Sequence, residues 1–301
     1  MNTARPATGS DRAVVRGDRV SEAGASERLA RPCVVKIGGR ALEGARQAEL
    51  ARDIATLGGR AVLVHGGGAT VSAWCARLGI EPRFHDGLRV TDTATLEVAA
   101  AVLGGLINKQ WVALLQAHGL MALGLCALDA GLASVRPHRD VARLGEVGEV
   151  AGVDPALLLA LLERGVTPVL ASIGACDGRL LNVNADDLAA AVAGALAAPA
   201  LVLLSDTPGL KLGGRVVDTL DAPGLAAAIE HPDVQGGMKP KLLAARHALA
   251  AGAERVVIAA WNGEGTVAAL LAGRGPGTAI AGTTGFAAPR AEPLAARRGR
   301  A

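Results

Sequence analysis

The chain has 301 residues, half of them apolar, with 40 glycines and a formal net charge of +3. The positive excess sits at the ends, +2 over residues 1–31 and +3 over residues 287–301, so the body between them is at −2 and offers no electrostatic footprint for nucleic acid. No apolar stretch runs the roughly 20 residues of a membrane span without charge, Gly or Pro, and the scattered Cys33, Cys75, Cys126 and Cys176 form no C-x-x-C pair, which points to reduced thiols in a cytoplasmic protein.

Residues 1–31 are rich in Arg, Ser, Gly and Ala and lack the apolar core of a secretory signal, so a disordered basic tail is expected there, and another over 287–301. The folded part opens with Val34-Val35-Lys36-Ile37-Gly38-Gly39, a buried strand (33–37) that spills into paired glycines. A helix over about 44–57 separates it from strand 61–65, which ends in His65-Gly66-Gly67-Gly68. Strand ends that run into exposed backbone amides are suited to holding phosphate. The chain has no G-x-x-x-x-G-K-[ST], which excludes a P-loop. Only five of the 31 basic residues are lysines: Lys36, Lys109, Lys211, Lys239 and Lys241. In a chain that prefers arginine, Lys36 wedged against Gly38 and Gly39 suggests a need for a compact ammonium. His65 reads as a hydrogen-bonded loop histidine rather than a base.

A helix over about 69–78 leads into residues 80–91, which break the alternation. In Phe84-His85-Asp86-Gly87-Leu88-Arg89-Val90-Thr91-Asp92, Arg89 stands between a glycine turn and a helix start, where it can fork a substrate carboxylate; Asp92 or Thr91 is a candidate N-cap. A helix spans 92–117, with Gly104-Gly105 at its centre suggesting a close helix–helix contact. Strand 120–125 follows. Residues 126–150 read as hairpins laid over the sheet edge, before a helix at 154–164 and a strand at 167–172.

In Leu181-Asn182-Val183-Asn184-Ala185-Asp186-Asp187, the alternating Asn182, Asn184 and Asp186 point one way at a strand-to-helix turn. A helix over 185–197 and strand 201–205 lead to Ser205-Asp206-Thr207-Pro208-Gly209-Leu210, a shelf for a nucleotide base or ribose. After a helix at 222–230, Gln235-Gly236-Gly237-Met238-Lys239-Pro240-Lys241 opens a helix over 239–251. Pro240 suits its first turn, and Lys241 sits where the helix dipole attracts anions. Strand 255–259 and a helix at 264–272 complete the pattern. The alternation predicts an α/β fold, a three-layer αβα sandwich with a mainly parallel central sheet, with ligands beyond the carboxyl ends of its strands. Lys36 and Lys241 are placed to flank a migrating phosphoryl group.

The pieces VVKIGG, LVHGGG, GLRVTD, VLGGLINK, LGEVGEV, SIGACDGRLLNVNADDLA, LLSDTPGL and GGMKPKL, in this order over roughly residues 33–282, resemble the N-acetylglutamate kinases of the amino-acid kinase superfamily. The resemblance implies transfer of the ATP γ-phosphoryl to the side-chain carboxylate of N-acetyl-L-glutamate, a step of arginine biosynthesis. It implies an amino-acid-substrate lobe (32–175), with Gly67, Gly68, Arg89 and Asn182 as substrate contacts, and an ATP-binding lobe (176–286), with Asp206, Thr207, Gly209, Leu210 and Met238 at the nucleotide. Lys36 and Lys241 become transition-state clamps organised by Asp186, and Gly38, Gly39 and Gly67 offer amides to phosphate. Mg²⁺ would be held by ATP oxygens and water, with no protein metal ligand. Feedback-inhibited relatives carry a helical extension ahead of the lysine strand; residues 1–31 lack an apolar stripe at helical spacing, which implies an arginine-insensitive homodimer. Two other readings share these motifs: a kinase of carrier-protein-linked aminoadipate or glutamate, and a non-catalytic amino-acid-binding regulator.

Overall fold

The structure is a computed structural model that describes residues 31–39 and 45–281; the expected tails and the predicted first residue of the 44–57 helix lie outside the described residues. Strands β1 (Cys33–Ile37) and β2 (Ala61–His65) are apolar runs buried almost end to end, as strands covered on both faces must be. Helix α1 (Ala45–Ala55) joins them, and α2 (Gly68–Arg77) follows β2 directly. The hairpin β3 (Phe84–His85) and β4 (Leu88–Arg89) precedes the long helix α3 (Thr93–Ala117) and β5 (Met121–Cys126). Next come β6 (Ala133–Pro137), the single turn α4 (Val141–Leu144), β7 (Val147–Val153), α5 (Ala156–Glu163) and β8 (Val166–Ala171). The hairpin β9 (Ile173–Cys176) and β10 (Arg179–Val183) runs into α6 (Ala185–Ala195) and β11 (Leu201–Ser205). The hairpin β12 (Lys211–Leu212) and β13 (Arg215–Val216) is followed by β14 (Thr219–Leu220), α7 (Ala222–Ile229) and α8 (Met238–Ala250). The last described elements are β15 (Arg255–Ala260), α9 (Thr266–Leu271) and β16 (Thr278–Ala281).

The main sheet has eight strands in the order β14-β16-β15-β11-β1-β2-β8-β5, parallel throughout except between β15 and β16. Its two faces carry separate cores. Val34, Val62 and Val64 pack toward α6 and α8, with Leu188, Val192 and Leu242. Val35 and Leu63 face the opposite way, toward Leu50 and Ile54 of α1 and Trp111 and Leu115 of α3. Side chains alternate along a strand, so Lys36 shares the face of Val34. That parity aims the ammonium at the N-termini of α6 and α8.

Residues 126–150, expected as hairpins over the sheet edge, contribute one antiparallel pair that joins a larger sheet. β6 pairs antiparallel with β7, and β7 pairs parallel with β10 through Val147↔Asn182, building a second sheet in the order β6-β7-β10-β9. This sheet brings Asn182 over the carboxyl ends of the main strands. The glycine pair in α3 has a different reason from the expected helix–helix contact. A Cβ on Gly104 would lie 2.9 Å from Cys126 Sγ, so the small residue admits the end of β5, while Gly105 faces open space. The surrounding turn, Ala101–Ile107, is a π-helical segment within α3. By length and composition α3 is apolar enough to cross a bilayer, but it buries Asn108, Trp111 and Leu115 against the sheet and is a core helix.

Candidate active site

Lys36 lies at the carboxyl end of β1, Asp186 in the first turn of α6, and Lys241 in the first turn of α8. The three come together. Lys36 Nζ stands 2.7 Å from Asp186 Oδ1, and Lys241 Nζ donates to Asp186 Oδ2, also at 2.7 Å. Lys36 is 6% exposed and Asp186 equally so. Burial pushes the Asp186 carboxyl up, but the two ammonium groups outweigh it and hold its pKa down at about 2. Burial lowers the Lys36 pKa and the Lys241 charge adds to this, with Asp186 opposing both. Asn184 caps α6 by accepting from the amides of Asp186 and Asp187 at 2.8 and 3.2 Å, which fixes the turn that presents Asp186. Of the three residues expected to converge, Asn182 and Asp186 present their side chains to the site, while the Asn184 oxygen is spent on the cap.

Both glycine loops border the lysine. A Cβ on Gly38 would press against Lys36 Nζ, and one on Gly39 (φ +96°) would strike Asp206. Gly67 is the N-cap of α2, and a Cβ there would overlap Ile107 and Leu103 of α3. Gly68 opens α2, whose N-terminus has no side-chain cap, so its first amides face outward for a ligand. A cavity of about 220 Å³ lies between these loops, with Lys36, Arg89, Asn182 and Asp186 in its wall. A second cavity, of about 540 Å³, shares Gly38, Gly39 and Gly66 to Gly68 with the first and extends to Asp206.

Arg89 is 8% exposed and lies over the Phe84 ring at 4.8 Å. Its Nη2 donates to Gly68 O and Ser72 Oγ, both at 2.7 Å, while its buried Nη1 has no partner. A buried guanidinium donor left open at a cavity wall is suited to an incoming carboxylate. Asn182 Nδ2 donates to Thr91 Oγ1 at 3.1 Å, and Thr91 Oγ1 donates in turn to Arg89 O at 2.8 Å, so one short chain sets both residues. Asp92 is the N-cap of α3, accepting from Thr95 N.

The residues expected at the nucleotide are less gathered. Asp206 walls the larger cavity. Thr207 is turned onto Ser205, with 3.2 Å between the hydroxyls. Leu210 is 1% exposed within the core and its amide donates to Thr278 Oγ1 at 2.8 Å, while a Cβ on Gly209 would meet the same hydroxyl at 2.7 Å. Met238 opens α8 half-buried and packs on the core. None of these last four walls either cavity. Ser72, which orients Arg89, and Ser172, which walls the smaller cavity, were not expected from the sequence. A lone serine carries no signal of its own, and only the tertiary contact reveals these two.

The sequence matches the amino acid kinase family over residues 31–260. An acetylglutamate kinase of Methanopyrus kandleri is 44% identical over 80% of this chain and 98% of its own length. One from Chloroflexus aurantiacus is 48% identical over 65% of this chain and 79% of its own. Among solved structures, N-acetylglutamate synthase of Neisseria gonorrhoeae, complexed with coenzyme A and N-acetyl-glutamate, superposes with a TM-score of 0.73 at 26% identity, over 88% of this chain and 62% of that one. Carbamate kinase of Giardia lamblia bound to AMP-PNP shares the fold, with a TM-score of 0.63 at 16% identity over 85% of this chain and 99% of its own. The chain belongs to the amino acid kinase family and, within it, to the acetylglutamate kinases.

Proposed function

We propose that the protein transfers the γ-phosphoryl group of ATP to the side-chain carboxylate of N-acetyl-L-glutamate. One observation carries the reading: a single buried carboxylate, Asp186, holds two ammonium groups from distant parts of the chain beside glycine-lined cavities. The acceptor carboxylate is already ionised at neutral pH, so the reaction needs no general base. One of its oxygens attacks the γ-phosphorus; the bond to the β–γ bridging oxygen breaks, and ADP leaves with that electron pair. Such a transfer depends on position and charge neutralisation. Each lysine has three N–H donors; Lys241 gives one to Asp186 Oδ2, and Lys36 faces Oδ1 as an ion pair at 2.7 Å, which leaves donors on both for phosphoryl oxygens. Arg89 Nη1 and Asn182 would hold the amino acid, and Gly38, Gly39, Gly67 and Gly68 would supply amides.

In this reading residues 32–175 form the amino-acid side and 176–286 the ATP side, with Asp206, Thr207, Gly209, Leu210 and Met238 on the latter. Each oxygen of Asp186 faces a lysine ammonium at 2.7 Å. Mg²⁺ would be carried on ATP oxygens and water, where it would neutralise phosphate charge. A homodimer is also part of the reading: the edge strand β5 exposes two apolar side chains, Met121 (63%) and Leu123 (40%). The free state of all four cysteines supports a cytoplasmic setting.

The test is ATP-dependent acyl phosphate formation, trapped with hydroxylamine, over a panel of acidic amino acids and their N-acyl forms. N-acetyl-L-glutamate should give the highest kcat/KM. No hydroxamate from any free amino acid would contradict the reading and return the carrier-linked kinase or the non-catalytic regulator.

A further inference from the structure

His65 sits at the carboxyl end of β2, 1% exposed, directly before the glycine loop. Its Nδ1 is 3.0 Å from Gly66 O and its Nε2 is 3.2 Å from Asn108 Nδ2. A carbonyl only accepts and an amide nitrogen only donates, so Nδ1 must carry the proton and Nε2 must accept. The Asn108 amide cannot be reversed: its Nδ2 also donates to Val169 O at 2.9 Å, and its Oδ1 accepts from Lys109 Nζ at 3.1 Å. Lys109 is fixed in turn by Gly124 O at 3.2 Å, and a Cβ on Gly124 would collide with both Asn108 and Lys109. Burial, with the Lys36 charge adding to it, pushes the His65 pKa down to about 4 against the opposing bond to Gly66, so the ring is neutral at neutral pH.

The last link bears on catalysis. Gly66 O and the Gly67 N–H belong to one planar trans peptide and point to opposite sides of it. Gly66 N is itself bonded to Ile37 O at 3.2 Å, so the peptides on either side of Gly66 are both held. We propose that the chain Lys109–Asn108–His65 is a positioning relay: by holding Gly66 O toward the imidazole it turns the Gly67 amide toward the transferring phosphoryl group. His65 is then a positioning residue that never touches substrate. The relay also gives a physical reason for one of the five lysines and for the Asn-Lys pair in α3.

This inference rests on the kinase reading, and the test separates the two. The amide nitrogen of an asparagine stands near the position of Nδ1, whereas a glutamine side chain reaches the position of Nε2. His65→Asn should keep the bond to Gly66, and His65→Gln should lose it while still meeting Asn108. With wild-type turnover established, His65→Gln should show a kcat at least about tenfold below that of His65→Asn, with KM for both substrates within about twofold of wild type. Equal loss of kcat in the two variants, loss expressed in KM, or loss that follows a fall in Tm would overturn the relay. A second measurement needs no activity and no variant: ¹⁵N NMR of the wild-type imidazole at about pH 7 should show Nδ1 protonated and Nε2 bare. An Nε2–H tautomer or an imidazolium would overturn it as well. A wild-type protein without turnover sinks the kinase reading and leaves the NMR result to decide the geometry.

Discussion

An ammonium can lie flat beside two glycines; a guanidinium needs a wider slot. The space a Cβ on Gly38 would occupy is already taken by Lys36 Nζ, so the pair is packed to the limit of one nitrogen. Lys36→Arg keeps the charge and is expected to lower kcat by at least about tenfold, with the thermal midpoint little changed; near-normal turnover in a steady-state assay would remove Lys36 from the chemistry. The neighbour of the central carboxylate makes a second prediction. Burial pushes Asp187 up to about 7, with repulsion from Asp186 and Glu149 adding to it. A carboxyl whose folded pKa lies above its unfolded one supports the fold at acidic pH, and that support is lost as pH rises through about 7. Asp187→Asn should therefore raise Tm by a few degrees at about pH 8 and leave it almost unchanged at about pH 4. Equal shifts at both pH values, read by calorimetry, would contradict the assignment. Lys36, Asp186 and Lys241 were legible in the sequence because each stands at a strand end or helix start, where local pattern marks it. The relay through His65 was not, since it joins positions 65, 108, 124 and 169 only after folding.

At the scale of elements, the main strands were legible because they are continuous apolar runs, and their ends agree with expectation within a residue or so. The short antiparallel pieces escaped notice although their turns were written in the sequence. Asp86-Gly87, Asp177-Gly178 and Gly213-Gly214 each take positive φ at both positions and close a two-residue hairpin, joining β3 to β4, β9 to β10 and β12 to β13. β16 is only four residues long, with Ile280 as its one large apolar side chain, and gives no comparable pattern. One tertiary lock had no sequence signal. Asp53 of α1 is fully buried and accepts from Trp261 Nε1 at 2.8 Å, Gly265 N at 2.8 Å and Val267 N at 3.0 Å. It caps α9 from across the fold and ties the helix after the lysine strand to the loop after β15. Asp53→Ala would strand three buried donors, an expected loss of about 3 kcal/mol and about 10 °C in Tm. A loss below about 1 kcal/mol in urea unfolding would show that the lock contributes little.

Among the described residues the eight-stranded sheet has β1 near its middle, which carries Lys36 between the proposed amino-acid side and the proposed nucleotide side. The sheet ends at β5, and the proposed homodimer would hide the apolar side chains there. Leu123→Lys should convert the dimer to monomers in sedimentation velocity, whereas an unchanged coefficient would place the interface elsewhere. In the proposed reaction two ammonium groups, both paired with Asp186, close on one travelling phosphoryl unit. Its most direct test is a crystal structure with ADP, N-acetyl-L-glutamate and tetrafluoroaluminate. The Nζ atoms of Lys36 and Lys241 should each lie within about 3 Å of a fluorine or bridging oxygen of the same mimic, with Asp186 still touching both. A mimic bound away from either nitrogen, with the substrates in place, would contradict it.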